Sequence, residues 1–526
     1  MRFHIQPILV AVLLGACTTS EVTYVTRPPF NPGPDSANGF LGYYTASSKQ
    51  TNCGNCHSTQ QTLWATTKHS GAWADLQASG AAQASCDACH TVSHLGNSVG
   101  KPAGYELVAD SAYHDVQCEN CHGPGQKHAS GPSNSNLPLA SIHVDTGITN
   151  GCGGCHTGTH EPFVDQWVQS AHGSGPGFLP AVNSGASCTP CHEGKAAIQV
   201  KFNVVTNFVE KSDTSHQRIV CAVCHAPHGS GFIHQLRAPI DVPTTDNLCV
   251  RCHSRTGTPP WGTATSTSAA RGPHGAQGLL VIGQNVGWIP PGFTYDTNQI
   301  VSSHGTAANP QLCATCHVVR TTVTDQETGA FKFQSVGHLF LPIPCLDANG
   351  IPTTSQSCAL NQRDFTGCVT SGCHLTTQAA MSAYQANIAT LDNLLDQLWV
   401  DSNNNGIVDA TDGGLLAQMV ARGSSADSAA LNFGSTVTTV AKGTIWNAAL
   451  AATDDRPYWT AGTVFGKSWA AHMSSGNGVH NPFLLQALLA ASIQVMHTTY
   501  SLTLPPNFDP RITATPPPGL RRLSSR

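Results

Sequence analysis

The pentapeptide Cys-x-x-Cys-His occurs eight times in this chain, at Cys53–His57, Cys86–His90, Cys118–His122, Cys152–His156, Cys188–His192, Cys221–His225, Cys249–His253 and Cys313–His317. The spacing sets two thiols one helical turn apart, where they can form thioethers to the two vinyl groups of a haem. The histidine that follows is placed under the ring, where it can bind the iron. This is the c-type haem attachment signature. A ninth, stretched copy runs from Cys368 to Cys373-His374, with four residues between the cysteines. A zinc site or a redox dithiol would account for Cys-x-x-Cys, but not for a histidine after every second cysteine.

The attachment cysteines are therefore Cys53 and Cys56, Cys86 and Cys89, Cys118 and Cys121, Cys152 and Cys155, Cys188 and Cys191, Cys221 and Cys224, Cys249 and Cys252, Cys313 and Cys316, and Cys368 and Cys373. The expected proximal ligands are His57, His90, His122, His156, His192, His225, His253, His317 and His374. Nine covalent haems c are the implied cofactors.

The first seven motifs begin at Cys53, Cys86, Cys118, Cys152, Cys188, Cys221 and Cys249, a near-even spacing that marks an internal repeat of one haem per unit. Much wider steps lead to Cys313 and then to Cys368, so loops are expected there. Segments this short cannot build an ordinary core, and Gly and Pro together number 83. The haems themselves would supply the buried apolar mass. The expected fold is mainly α with extensive irregular structure, packed around haems, with a C-terminal helical domain. The expected division is a signal at 1–16, a polar linker at 17–50, a multihaem domain at 51–375, a helical domain at 376–500 and a Pro-rich tail at 501–526.

Each iron has a sixth position to fill, and sixteen histidines remain beyond the leader and the motifs. Trp64-x-x-Thr67-x-His69 and Trp167-x-x-Ser170-x-His172 share one pattern, consistent with a short helix presenting an imidazole. His228 follows its motif closely, and His128 lies just past Cys118–His122. His114, His216, His274 and His304 stand upstream of motifs or in loops, and His480 precedes a helix start. These nine are the candidate distal ligands. His94, His143, His160, His234, His338, His472 and His497 carry less local context.

Met1-Arg2, an apolar run from Ile8 to Ala16 and then Cys17 have the layout of an export signal. The run is too short to span a bilayer. Leu14-Gly15-Ala16-Cys17 resembles a bacterial lipoprotein signal, which implies a lipid anchor at Cys17 and a place in the periplasm or on the outer-membrane or cell surface. Export agrees with the haem reading, and with a disulfide between Cys345 and Cys358. A formal charge of −5, to which haem propionates add, makes nucleic acid an unsuitable partner.

Past His374 apolar residues return at helical spacing, and a helix is expected from Thr377 to Trp399. Asp401, Asn403, Asn405, Ile407 (through its carbonyl), Asp409 and Asp412 then fall at the ligand positions of an EF-hand-type calcium loop, with Gly406 at the turn. Position twelve is Asp rather than Glu, which resembles the loops of dockerin-like modules. A second helix, Gly413–Ala421, is expected to follow. Asn481-Pro482 caps and starts a Leu-rich helix.

The motif density resembles the multihaem cytochromes c of respiratory bacteria. Cys118–His128 resembles the tetrahaem electron carriers of nitrifiers. Gly478-Val479-His480-Asn481-Pro482 before a Leu-rich helix is similar to the C-terminal region of ammonia-forming cytochrome c nitrite reductases and their octahaem relatives. A histidine there ligates haem, which this resemblance carries to His480. One departure is plain: those reductases carry Cys-x-x-Cys-Lys at the catalytic haem, and every motif here ends in His. The cross-linking Tyr of the hydroxylamine-oxidising relatives is not identifiable either. The first functional reading is an electron conduit of nine bis-histidine haems between redox partner proteins and an acceptor that includes an extracellular one. An alternative is a reductase or oxidase of a small nitrogen or sulfur compound, with one five-coordinate haem. A third is a self-assembling subunit of a polymeric cytochrome filament.

Overall fold

The computed structural model describes residues 30–33, 38–140, 142, 151–206, 213–294, 302–306, 308–369, 374–472 and 477–505. The export signal with Cys17, His143, Cys373 and the tail beyond residue 505 lie outside the described residues. Among the described residues no helix is long and apolar enough to cross a membrane.

Up to residue 375 the described chain is built from short helices, turns and brief strands. Among the described residues the α-helices of this region, such as Ser58–Trp64 and Phe163–Gln169, run to seven residues at most. Helices this short do not hold in water on their own length. Tertiary hydrogen bonds fix them instead. The Trp64 indole donates to the Val116 carbonyl at 2.9 Å, and the Trp167 indole to the Ile219 carbonyl at 2.8 Å. Both bonds span 52 residues, and the second repeats the first in the next part of the chain. Residues 38–50, expected as the end of a linker, belong to the folded body. Phe40, Leu41 and Tyr43 are buried, and the Tyr43 hydroxyl donates to Asp115 at 2.7 Å.

The C-terminal region has a conventional core. Its helices are α1 (Thr377–Leu398), α2 (Leu415–Arg422), α3 (Ser425–Ala430), α4 (Val440–Ala451) and α5 (Pro482–Tyr500). Thr376 caps α1 by accepting from the Ala379 N–H, and Asn481 caps α5 by accepting from Leu484. α2 starts two residues later than its sequence suggests. Gly413 exchanges backbone hydrogen bonds with Val400, and Gly414 turns at φ +90°, so both residues close the preceding loop. A three-stranded sheet flanks the helices, from β1 (Ala270–His274), β2 (Ala461–Val464) and β3 (Lys467–His472). β3 is central, parallel to β1 and antiparallel to β2.

Residues 376–500 do not form this core alone. Trp261, Ala276, Leu280 and Val286 are buried in the same cluster as Leu391, Leu395, Trp446 and Leu488. The Trp261 indole donates to the Lys442 carbonyl, the Trp446 indole to the Gly257 carbonyl, and the Asn447 amide to the Trp288 carbonyl. The segment after the seventh motif is thus clamped to α4. Gly443 permits it: a Cβ there would stand 2.1 Å from the Trp288 ring. Gly443→Ala is expected to destabilise the C-terminal core by about 1–3 kcal/mol through overpacking. Thermal denaturation followed by Trp fluorescence checks this.

Candidate haem-binding cavity

The attachment segments fold as isolated turns, for example Cys118–His122, Cys221–Cys224 and Cys313–His317. They line one continuous cavity of about 5700 Å³. A pocket for one drug-sized ligand is about 300–1,000 Å³, and a ninth of this cavity is about 630 Å³. All nine motif histidines line it. Thr370–Cys373 lie outside the described residues, but Cys368 and His374 reach the cavity wall.

Two imidazoles on one iron stand with ring centres about 6 Å apart, the sum of two metal–nitrogen bonds of roughly 2 Å and two ring radii. Seven motif histidines face a second imidazole at this spacing. His156 faces His69 at 6.1 Å, His122 faces His228 at 6.1 Å, and His253 faces His172 at 6.2 Å. His192 faces His274 at 5.9 Å, and His225 faces His338 at 6.4 Å. His374 faces His304 at 6.5 Å, and His317 faces His480 at 6.2 Å. Among the described residues no imidazole stands opposite His57 or His90 at that distance.

Ring orientation and protonation suit a metal. The Nδ1 atoms of His90, His122, His225 and His317 bond the carbonyls of Ala72, Pro138, His234 and Phe340 at 2.8–2.9 Å. Those of His304 and His338 bond Val479 and Val336. A carbonyl on Nδ1 makes that atom the N–H donor and turns the Nε2 lone pair to the iron. Burial, reinforced by neighbouring His156, pushes His69 down to about 4. Burial also pushes His172 down to about 3 and His338 to about 4. The rings are therefore neutral, as metal ligation requires.

The remaining candidates sit elsewhere. His114 stacks on Trp73 at 4.1 Å and lies off the cavity, and His216 is exposed. His128 lines the cavity. His338, which carries little local context in the sequence, faces His225. Its one signal is positional: like His228 it follows a motif, but 21 residues past His317 rather than three past His225. His472, on β3, lies 5.1 Å from His274 and so stands beside the His192–His274 pair.

Neighbouring motifs touch through their thiols. Cys53 contacts Cys118, and Cys152 contacts Cys221. Cys89 contacts Cys155, Cys191 contacts Cys252, and Cys249 contacts Cys313. Since these sulfurs would carry the haem edges, the contacts set attachment sites side by side that are, except for the seventh and eighth, not consecutive in the chain. The disulfide Cys345–Cys358 closes a short loop before the ninth motif.

The helix–loop–helix at 401–412 is formed, but its oxygens are engaged with the protein. Asp401 accepts from the Gly406 N–H at 2.8 Å, and Asp409 accepts from the Asn403 amide at 3.0 Å. Asp412 accepts from the Trp399 indole at 2.8 Å and from Ser402. Among the described residues no three His, Cys, Asp or Glu side chains are gathered as a metal site.

The family model described as cytochrome c554 and c-prime matches residues 52–123, and the doubled CXXCH motif matches residues 215–258. The C-type polyheme cytochrome OmcB of Geobacter sulfurreducens is 27% identical over 166 residues, covering 26% of this chain and 20% of that protein. The multiheme cytochrome MtrA of Shewanella baltica is 24% identical over 155 residues, covering 26% of this chain and 42% of that protein. The chain thus spans less than half the length of these relatives. No solved structure matches it. Paired thiols with a histidine behind them, and a second imidazole set across from that histidine, suit a covalently bound iron porphyrin rather than a bare metal ion, and the sequence matches agree: this chain is a multihaem c-type cytochrome.

Proposed function

We propose that the chain is an electron-transfer protein holding nine covalent haems c. The observation that carries this is the set of seven imidazole pairs at iron-spanning distance. When bound, haem supplies a one-electron iron couple. The residues do the rest. The paired histidines saturate the iron, which favours outer-sphere transfer over bond-making. The thiol contacts set one attachment site against another. Cys17 would carry a lipid anchor outside the cytoplasm, and the partners would be redox proteins and an acceptor in respiratory or extracellular electron transfer. Calcium at Asp401–Asp412 would be structural, and chelation by EDTA is then expected to lower the melting temperature.

His57 and His90 favour a second reading, because no described imidazole faces either. A haem held there on one histidine could bind a small nitrogen or sulfur compound, as in a reductase.

Mass spectrometry and low-temperature EPR of the oxidised holoprotein test both readings. The mass is expected to exceed the chain by nine haems, with at least seven low-spin. The imidazole planes of His192–His274 and His172–His253 cross at 85° and 71°. Crossed planes leave the iron dπ orbitals nearly degenerate, so these two centres are expected to give strongly anisotropic low-spin signals. Fewer than seven low-spin haems would sink the conduit. Turnover of nitrite, hydroxylamine or tetrathionate would establish the reductase.

A further inference from the structure

Two histidines stand side by side where one iron has a single place to fill. His274 ends β1 and His472 ends β3, and the two are partners in the sheet register. Between Arg271 and His274 the first strand runs one residue longer than its partner does between Ala470 and His472. Such an extra residue is a bulge, and a bulge re-aims the side chains beyond it. In unbroken register Pro273 would stand opposite His472, and the His274 ring would turn to the other face of the sheet. Gly272 lies inside the bulge. A Cβ there would stand 2.1 Å from the Trp261 ring, so the strand needs glycine to follow this course. The outcome is two imidazoles with ring centres 5.1 Å apart.

Both rings belong to one site. His274 faces His192 at 5.9 Å, and His472 lies within electrostatic reach of both. All three line the haem cavity. A separation of 5.1 Å is too short for an iron between His274 and His472, which takes about 6 Å. The two therefore approach the same coordination position, across from His192, and one iron holds only one of them there. Among the described residues no motif histidine faces His472, so no second iron claims it. Nor are these rings fixed as those of His304 and His338 are. Backbone carbonyls hold the Nδ1 atoms of that pair, whereas among the described residues no hydrogen bond holds the ring of His274 or His472. His472 is exposed and His274 half-buried, so either ring has room to turn.

We propose that His472 is a second distal ligand for the His192 iron, interchangeable with His274. Exchange breaks one iron–nitrogen bond and forms another. No electron or proton is gained or lost, since each ring binds as the neutral imidazole. The iron is low-spin with either ligand. The crossing angle of the axial planes differs between the two forms, because the His472 ring is tilted 49° from the His274 ring. This centre thus has two ligand states, where an iron served by one pinned imidazole has one. The proposal rests on the reading of nine haems.

The test compares the holoprotein with His274→Ala, His472→Ala and the double variant. It reads quantified EPR of the oxidised protein and carbon monoxide uptake of the reduced protein. Each single variant is expected to keep the wild-type count of low-spin haems and the wild-type carbon monoxide stoichiometry. His274→Ala should replace one strongly anisotropic low-spin signal with another low-spin signal. The double variant should gain one high-spin haem and bind one further equivalent of carbon monoxide. His274→Asn, nearer in size and polarity, serves where His274→Ala weakens the sheet. A high-spin haem gained by either single variant would overturn the proposal. So would a double variant with no gain. A wild-type mass short of nine haems would count against the nine-haem reading alone, whereas a Cys188–His192 peptide that carries no haem would overturn both.

Discussion

Replacing His172 by alanine is expected to turn one low-spin iron of the oxidised holoprotein high-spin and to let that iron bind carbon monoxide when reduced. His172 faces His253 at 6.2 Å, and no other described imidazole stands opposite His253 at that spacing. Phe340 packs edge-on against its ring at 4.6 Å, which holds the ring in place. Its short helix is capped by Ser170, whose side chain accepts from the Gly173 N–H. The ring also lies close enough to His317 and His338 to interact electrostatically with both. The substitution therefore strikes where several attachment sites meet. Axial ligands set haem potentials over about 0.8 V, so a shift on the order of 0.1 V or more is expected at one centre. His172→Met should restore a low-spin iron at a higher potential, because thioether ligation raises it. Quantified EPR and a potentiometric titration read both outcomes. Unchanged spin counts in His172→Ala would refute the pairing with His253.

Glu119→Ala is expected to cost the N-terminal unit about 3–5 kcal/mol, since it leaves buried backbone donors without partners. Glu119 lies inside the third motif and is 2% exposed. Its carboxyl accepts from the Gly42 N–H at 2.7 Å, the Gly125 N–H at 2.7 Å and the Leu41 N–H at 2.9 Å. Three chain segments thus close on one side chain: the strand entering the fold, the motif, and the loop leading to His128. Glu193, directly after the fifth motif, plays a similar part, accepting from the Gln217 and Ala196 N–H groups. Glu119→Gln keeps one acceptor oxygen and should fall between. Denaturant unfolding followed at the Soret band measures both variants. An alanine variant as stable as the wild type would show that water or rearrangement satisfies those donors.

The C-terminal helices were legible because their signals are local. Leu391 and Leu395 recur one helical turn apart, Thr376 caps α1, and Asn481-Pro482 starts α5. The apolar clamp from Trp261 to Trp288 was not legible, since its partners on α4 lie 181 and 159 residues away. Histidine patterns were partly legible. The repeated Trp-x-x-[Ser/Thr]-x-His marks His69 and His172, both of which face motif histidines. His114 and His216 stand at similar places before their motifs, yet one stacks on Trp73 and the other is exposed.

The chain's covalent chemistry is settled by its sequence alone: which thiols lie one turn apart, and which histidine follows them. That spacing is a property of five consecutive residues. Which imidazole faces which motif is settled only in three dimensions. The partners stand far apart in the chain, as His304 and His374 do, and His317 and His480 further still. No local pattern encodes those separations. They follow from how remote segments pack, and that packing is decided by indole–carbonyl bonds, buried carboxylates and thiol contacts between segments far apart in sequence.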